Sequence, residues 1–220
     1  MSARVLLVRH PPVAKAWVGR CYGQSDMGWS RDGALLARHL SRQLAAESFA
    51  MIVHSGAIRT RRLAEMIGRL TGRPVRVDPR WLERDFGAWE GRSWQAIWRD
   101  TGDLMDRMVT DPAEFRPGGG ETGMELSRRA QAAWNALPTS GNVLVVTHGG
   151  PVAALCTSWG GHPPERMIDF VPEPGAIVVA ARREADGGPG AIHQSEPFPP
   201  MIDVGQSCPG SLAREVNRSN

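Results

Sequence analysis

The amino-acid sequence predicts an α/β domain built as a three-layer sandwich, with a mostly parallel central sheet flanked by helices. Two observations lead there. Short apolar runs (Val5 to Val8, Ala50 to Val53 and Val143 to Val146) read as strands covered on both faces. Between them lie longer segments whose apolar residues recur at helical spacing, and strands alternating with helices argue for a layered parallel sheet. Composition agrees: 41% hydrophobic and 22% charged residues in a chain of 220 are near the averages of globular proteins.

Taken in order, Val5 to Val8 supplies the first strand. Ser30 is placed to cap a helix over Arg31 to Glu47, in which Leu36, Leu40 and Leu44 fall on one face. After the strand Ala50 to Val53, a second helix over Ala57 to Leu70 carries the stripe Leu63, Met66, Ile67 and Leu70, and Gly72 and Pro74 stop it. Val75 to Val77 is the next short strand. Trp94 to Met108 and Glu121 to Leu137 have helical character, separated by a Pro- and Gly-bearing stretch from Asp111 to Gly120. A helix from Pro151 to Trp159, with Pro in its favoured first turn, follows the Val143 strand, and Ile177 to Ala180 is the last strand. Residues 1–183 are therefore expected to form one domain. Residues 184–220, with Gly187-Gly188-Pro189-Gly190 and then Pro197, Pro199 and Pro200, are expected to form a loosely packed tail.

Charge and cysteine content narrow the function classes. The net charge is +3, from 26 basic and 23 acidic residues that interleave, so a nucleic-acid footprint is not expected. Lys15 is the sole lysine; the other basic residues are arginines, which suit bidentate recognition of phosphate or carboxylate. Cys21, Cys156 and Cys208 form no C-x-x-C pair and have no His at zinc-ligand spacing, so neither a disulfide framework nor a structural zinc is indicated. No run is long and apolar enough for a membrane span, and no signal-peptide pattern opens the chain, so a cytoplasmic protein is expected. The sequence carries no signature of a particular oligomeric state.

The chemistry is concentrated at two strand ends. Val5-Leu6-Leu7-Val8-Arg9-His10 and Val143-Leu144-Val145-Val146-Thr147-His148 each run from an apolar strand into a histidine. Ligands of open α/β sheets bind beyond the carboxyl ends of strands, where the strand order reverses, so these two histidines can share one crevice. Gly149-Gly150-Pro151 then opens a helix whose free N–H groups favour an anion, in outline a phosphate cradle. Neither G-x-x-x-x-G-K-[ST] nor a G-x-G-x-x-G after a strand is present, so no nucleotide cofactor is expected. Gly118-Gly119-Gly120 follows no strand and reads as a loop.

Four motifs in one order resemble the histidine phosphatase superfamily, the phosphoglycerate-mutase-like group. They are Leu7-Val8-Arg9-His10, His54-Ser55-Gly56-Ala57-Ile58-Arg59, Leu82-Glu83-Arg84-Asp85-Phe86-Gly87-Ala88-Trp89-Glu90-Gly91, and Thr147-His148-Gly149-Gly150. Cys21-Tyr22-Gly23-Gln24-Ser25-Asp26 looks like the α-ribazole-phosphatase-like branch. The resemblance implies a phosphatase acting on a small phosphorylated metabolite, without metal or other cofactor. His10 would be the nucleophile and carry the phosphoryl group. Arg9, Arg59 and His148 would surround that group, and Glu83 would protonate the leaving oxygen and then activate water. Tyr22, Gly23, Gln24 and Gly149 would contact the substrate.

Each residue also has a plainer reading. Arg59 stands among Arg61 and Arg62, as on a solvated helix face; Glu83 beside Arg84 and Asp85 fits a surface ion pair of small consequence. Trp81, Trp89, Trp94 and Trp98 read as packing more readily than as stacking groups. The chain also departs from the family pattern. Pro11 and Pro12 follow the nucleophile, and Pro11 has no N–H to offer a phosphate. Trp17 stands where the family has a phosphate-contacting asparagine; Tyr22 and Gln24 are the candidate substitutes. The alternatives are a phosphoglycerate mutase, disfavoured by the short stretch between Glu83 and His148, and a phosphate-binding scaffold without turnover.

Overall fold

A computed structural model describes residues 3–182 and 189–194. Six strands form one sheet in the order β3-β2-β4-β1-β5-β6: β1 (Ala3–Arg9), β2 (Met51–His54), β3 (Val75–Val77), β4 (Val143–Thr147), β5 (Ile177–Arg182) and β6 (Pro189–Gln194). β3, β2, β4 and β1 are mutually parallel, and β5 pairs antiparallel with both β1 and β6. Connections after β1 step towards β3, and those after β4 step towards β6. The reversal lies between β1 and β4, the strands that lead into His10 and His148.

The helices are α1 (Arg31–Ala45), α2 (Ile58–Thr71), α3 (Trp94–Thr101), α4 (Arg107–Thr110), α5 (Gly123–Asn135) and α6 (Gly149–Trp159). Strand residues alternate between faces, and that period sorts the core into two layers. Val5, Leu7, Val143 and Val145 pack against Leu126, Ala130 and Trp134 of α5 and Val152 and Leu155 of α6. Leu6, Val8, Leu144 and Val146 pack against Ala37, Leu40 and Leu44 of α1 and Leu63 and Ile67 of α2. Full burial of each such aliphatic chain contributes roughly 1.5–3 kcal/mol, which is why these runs occupy the sheet centre. The three-layer, mostly parallel sandwich is the predicted one.

Several boundaries differ from the sequence expectation. The helix expected over Trp94 to Met108 is broken: α3 ends at Gly102, whose φ of 52° is left-handed, and a 3-10 turn over Gly102–Asp106 leads to α4. α5 starts later than Glu121 because Thr122 caps it, in a reciprocal box with Glu125. Leu70, expected on the apolar stripe of α2, is 58% exposed; Ala64 takes its place in the core. Within the stretch read as a tail, residues 189–194 add β6 at the sheet edge, a position that tolerates Pro189 at the strand start. Residues 195–220 of that stretch, including Cys208, lie outside the described residues.

Candidate active site

The pairing of β1 with β4 puts Arg9 opposite Thr147, and the His10 N–H donates to the Thr147 carbonyl at 2.9 Å. The next residue on each strand is therefore a histidine at the same sheet end. Their ring centroids are 5.2 Å apart at 67°, and both side chains are buried. The two histidines that the repeated strand pattern singled out do share one crevice.

Hydrogen bonding decides what His10 can do. Its Nδ1 lies 2.8 Å from the Pro11 carbonyl oxygen, which can only accept, so Nδ1 carries the proton. Nε2 then holds a lone pair and is buried without a partner. Pro11, unable to offer an N–H, contributes the carbonyl that sets this tautomer. Burial, then the charge of Arg59, and more weakly that of Arg9, hold the His10 pKa well below the ordinary imidazole value, against the opposing Pro11 hydrogen bond. His148 is lowered likewise, by burial first and then by Arg59, His10, Arg9 and Arg129.

Arg59, fully buried at the start of α2, donates from Nη1 to the Ser25 carbonyl at 2.7 Å and from Nη2 to the Gly23 carbonyl at 2.6 Å. It also stands 5.4 Å from the Tyr22 ring centroid. The resemblance puts Arg59 on the phosphate; here both terminal nitrogens tie down the Tyr22–Ser25 loop, while Nε stays unpartnered. Arg9 donates from Nη1 to the Pro172 carbonyl and has an unpartnered, buried Nε. Four buried polar atoms in this crevice thus lack partners: Arg9 Nε, His10 Nε2, Arg59 Nε and His148 Nδ1. Buried polar groups are nearly always satisfied, so this cluster of two arginine N–H groups and two imidazole nitrogens marks the crevice as a candidate ligand site.

Glu83 lies after a 3-10 turn over Pro79–Trp81, and its carboxylate accepts from the Gly150 N–H at 3.0 and 3.2 Å and from the Arg84 N–H at 2.9 Å. It is no loose surface ion pair. A Cβ at Gly150 would come 2.1 Å from Glu83 Oε1, and one at Gly149 would come 3.3 Å from Arg9 Cζ. The paired glycines make room for the acid and the arginine. The start of α6, read from sequence as an open phosphate cradle, is therefore partly filled: its second amide already holds Glu83. Gly149 touches Arg9 and Val171, and any substrate contact it makes is by its backbone.

The loop candidates are placed beside the histidines. Tyr22 meets His10 edge-on at 6.4 Å between centroids, and Gln24 donates from Nε2 to the Glu83 carbonyl at 3.2 Å. Trp17 is half-buried in a 3-10 turn over Lys15–Trp17. Trp81 and Trp89 are buried in packing roles, and Trp98 is 56% exposed on α3. Gly118 packs on Gly87 as an ordinary loop contact.

Sequence reasoning missed four supports. Glu90 accepts from the Gln24 and Ser25 N–H groups, at 2.8 and 2.7 Å, and from the Ser25 hydroxyl at 2.5 Å, so the loop that Arg59 holds by its carbonyls is held by its N–H groups as well. Arg129 pairs with Glu121 at 2.8 Å and donates to the carbonyls of Arg80, Leu82 and Glu83, holding the acid's backbone. Ser55 bonds His148 at 2.8 Å, and Thr60 bonds Ser55. The available signal for Arg129 was its position on α5, next to the buried Ala130. Among the described residues, no group of three or more His, Cys, Asp or Glu side chains gathers to hold a metal. No helix among them is long and apolar enough to cross a membrane.

These buried imidazoles link stability to pH. His10, His148 and His54 all have lowered pKa values, burial being the largest cause in each. Below about 6.5 the unfolded chain binds protons that the folded one resists, so stability falls as pH drops from about 6.5 towards the depressed folded values. Urea midpoints measured from about pH 8 to 5 are expected to be flat at first and then to decline. A midpoint that rises on acidification would count against buried neutral histidines.

Comparisons with known proteins give the family. The chain matches the histidine phosphatase superfamily (branch 1) over residues 5–188. It is similar to a glucosyl-3-phosphoglycerate phosphatase of Mycolicibacterium vanbaalenii, 28% identical over 202 residues, covering 86% of this chain and 89% of that one. A probable phosphoglycerate mutase of Cronobacter sakazakii is 31% identical over 163 residues, covering 73% and 76%. Among solved structures, the α-ribazole phosphatase from Shigella flexneri superposes with a TM-score of 0.70 at 23% identity, over 82% of this chain and 91% of that one. With the family matched over most of its length, the chain belongs to the histidine phosphatase superfamily and is a phosphoric monoester hydrolase.

Proposed function

We propose that the protein hydrolyses a small phosphorylated metabolite through a phosphohistidine on His10. The observation that carries this reading is the His10 tautomer: Nδ1–H bound to the Pro11 carbonyl, and a buried, unpartnered lone pair on Nε2. Nε2 attacks phosphorus and the ester P–O bond breaks, with Glu83 giving its proton to the leaving oxygen. Water then attacks the phosphohistidine, Glu83 takes the water's proton, and the P–N bond breaks to release phosphate. Arg9, Arg59 and His148, whose unpartnered atoms share the crevice with Nε2, stabilise the charge on the equatorial oxygens. Removing one such contact commonly costs on the order of 100-fold or more in rate.

For the substrate, the Cys21–Asp26 segment and the fold shared with an α-ribazole phosphatase support α-ribazole 5′-phosphate. The relative from Mycolicibacterium vanbaalenii adds glucosyl-3-phosphoglycerate. In both, a polar sugar leaving group would meet Tyr22 and Gln24. The mutase reading draws on the similarity to a probable phosphoglycerate mutase. One assay separates these readings: kcat/KM for both esters, phosphoserine, sugar phosphates, an aryl phosphate, and 3-phosphoglycerate with and without its bisphosphate. One ester is expected to lead the panel, with phosphate released over many turnovers. A flat panel would remove the sugar-ester reading, isomerised phosphoglycerate would make it a mutase, and no turnover would leave a scaffold.

A further inference from the structure

Behind His148 runs a short chain of hydroxyls whose direction can be worked out. The Thr60 hydroxyl donates to the Ala57 carbonyl at 2.9 Å, and a carbonyl can only accept. With its one proton used there, Thr60 Oγ1 must accept from Ser55 Oγ, 2.8 Å away. The Ser55 hydroxyl has then used its proton too, so it must accept from His148 Nε2, also at 2.8 Å. All three side chains are buried, with relative exposures of 0% for Thr60, 1% for Ser55 and 0% for His148, so water does not reverse the chain.

We propose that Ser55 and Thr60 are positioning residues that force the Nε2–H tautomer on His148, so that its Nδ1 presents a lone pair to the phosphate crevice and must gain a proton when a phosphate ester binds. This deepens the phosphatase reading and rests on it for the identity of the ligand. A neutral imidazole of this tautomer repels an incoming anion at Nδ1, whereas the imidazolium donates to it. The proton arrives with the ligand: an N–H bond forms at Nδ1 as an O–H bond breaks, either that of a singly protonated ester, which becomes the dianion, or that of a solvent or buffer acid when the dianion binds. The groups around His148 are Arg9 at the end of β1, His10 just after it, Arg59 from α2, Arg129 from α5 and Glu83 beside Gly150. Burial, and then the cations among them, keep His148 neutral in the free protein, and an added phosphate offsets the cations' charge.

The test uses the full chain labelled with ¹⁵N-histidine, in which His148 is one of six histidines and is assigned with a His148→Gln control. Long-range ¹H–¹⁵N spectra of the free protein at about pH 8.5 are expected to show His148 protonated at Nε2 and bare at Nδ1. Thr60→Val keeps the Ser55–His148 contact but frees the Ser55 proton, so the Nδ1–H tautomer is expected to appear; a merely structural Ser55 predicts no change. Calorimetry with inorganic phosphate in two buffers of different ionisation heat, at about pH 8.5 where free phosphate is the dianion, should give uptake of about one proton per phosphate, and clearly less in Thr60→Val. Ser55→Ala should lower kcat/KM by roughly 10- to 100-fold, the usual cost of losing an outer orienting partner. An Nδ1–H or doubly protonated His148 in the free wild type, an unchanged tautomer in Thr60→Val, or phosphate binding without proton uptake would each overturn the proposal. The expected tautomers with no phosphate binding at all would instead overturn the phosphatase reading and leave the hydroxyl chain standing.

Discussion

Replacing His10 with alanine is expected to lower turnover by at least on the order of 10⁴-fold, because removal of an enzyme nucleophile commonly costs that much or more. The expectation follows from geometry: His10 Nε2 is the one imidazole nitrogen in the crevice that is shown bare by a bond to a carbonyl on the other side of its ring. Rapid quench of the wild type with a radiolabelled ester should trap an acid-labile phosphoenzyme, absent from His10→Ala. The lowered pKa adds a second expectation. Because burial, Arg59 and Arg9 disfavour imidazolium, the nucleophile stays neutral below the ordinary imidazole value, and the acid limb of kcat/KM should not be set by His10 near pH 6.5. A variant that kept full activity, with its fold verified by thermal melting, would remove His10 from the chemistry.

Glu83→Gln should give the next largest effect, on the order of 10²- to 10⁴-fold for esters with poor leaving groups. The amide can still accept from the Gly150 and Arg84 N–H groups with one oxygen, so the local structure should hold, but it cannot deliver a proton. An aryl phosphate, whose leaving group needs no proton, should be cleaved in a rapid first turnover and then stall, because attack of water on phosphohistidine also needs the missing base. The check is stopped-flow release of the phenol, with the burst amplitude compared to enzyme concentration. Equal slowing for alkyl and aryl esters, with no burst, would reduce Glu83 to a support for the start of α6.

Most of the layered fold was legible in the chain because its signals are local. Val5 to Val8 and Val143 to Val146 are apolar at every position, as only strands covered on both faces need to be. Ser30 accepts from the Gly33 N–H at 2.9 Å and caps α1 where the sequence placed it. The misread boundaries have local causes as well: Gly102 in a left-handed conformation broke a helix that periodicity alone would continue, and the Thr122–Glu125 box overrode a start at Glu121. β6 was missed because Pro189 to Gln194 has no alternating apolar pattern; as an edge strand it draws its order from backbone pairing with β5.

The site divides along the same line. The sequence by itself determined which side chains gather at the sheet end, since an arginine and a histidine after one strand and a histidine and two glycines after another are patterns of neighbouring residues. Only the tertiary structure decided their hydrogen-bond partners, because these depend on how the backbone turns, as at His10 and Pro11, and on atoms far apart in the chain. The carbonyl of Pro11, a residue whose missing N–H set the chain apart from the family pattern, leaves His10 Nε2 with a bare lone pair. Arg59 donates to the carbonyls of Gly23 and Ser25, and Glu83 found its donor at Gly150 across the crevice. Hydrogen-bond direction, burial and charge are properties of the folded environment, and no spacing of residues encodes them.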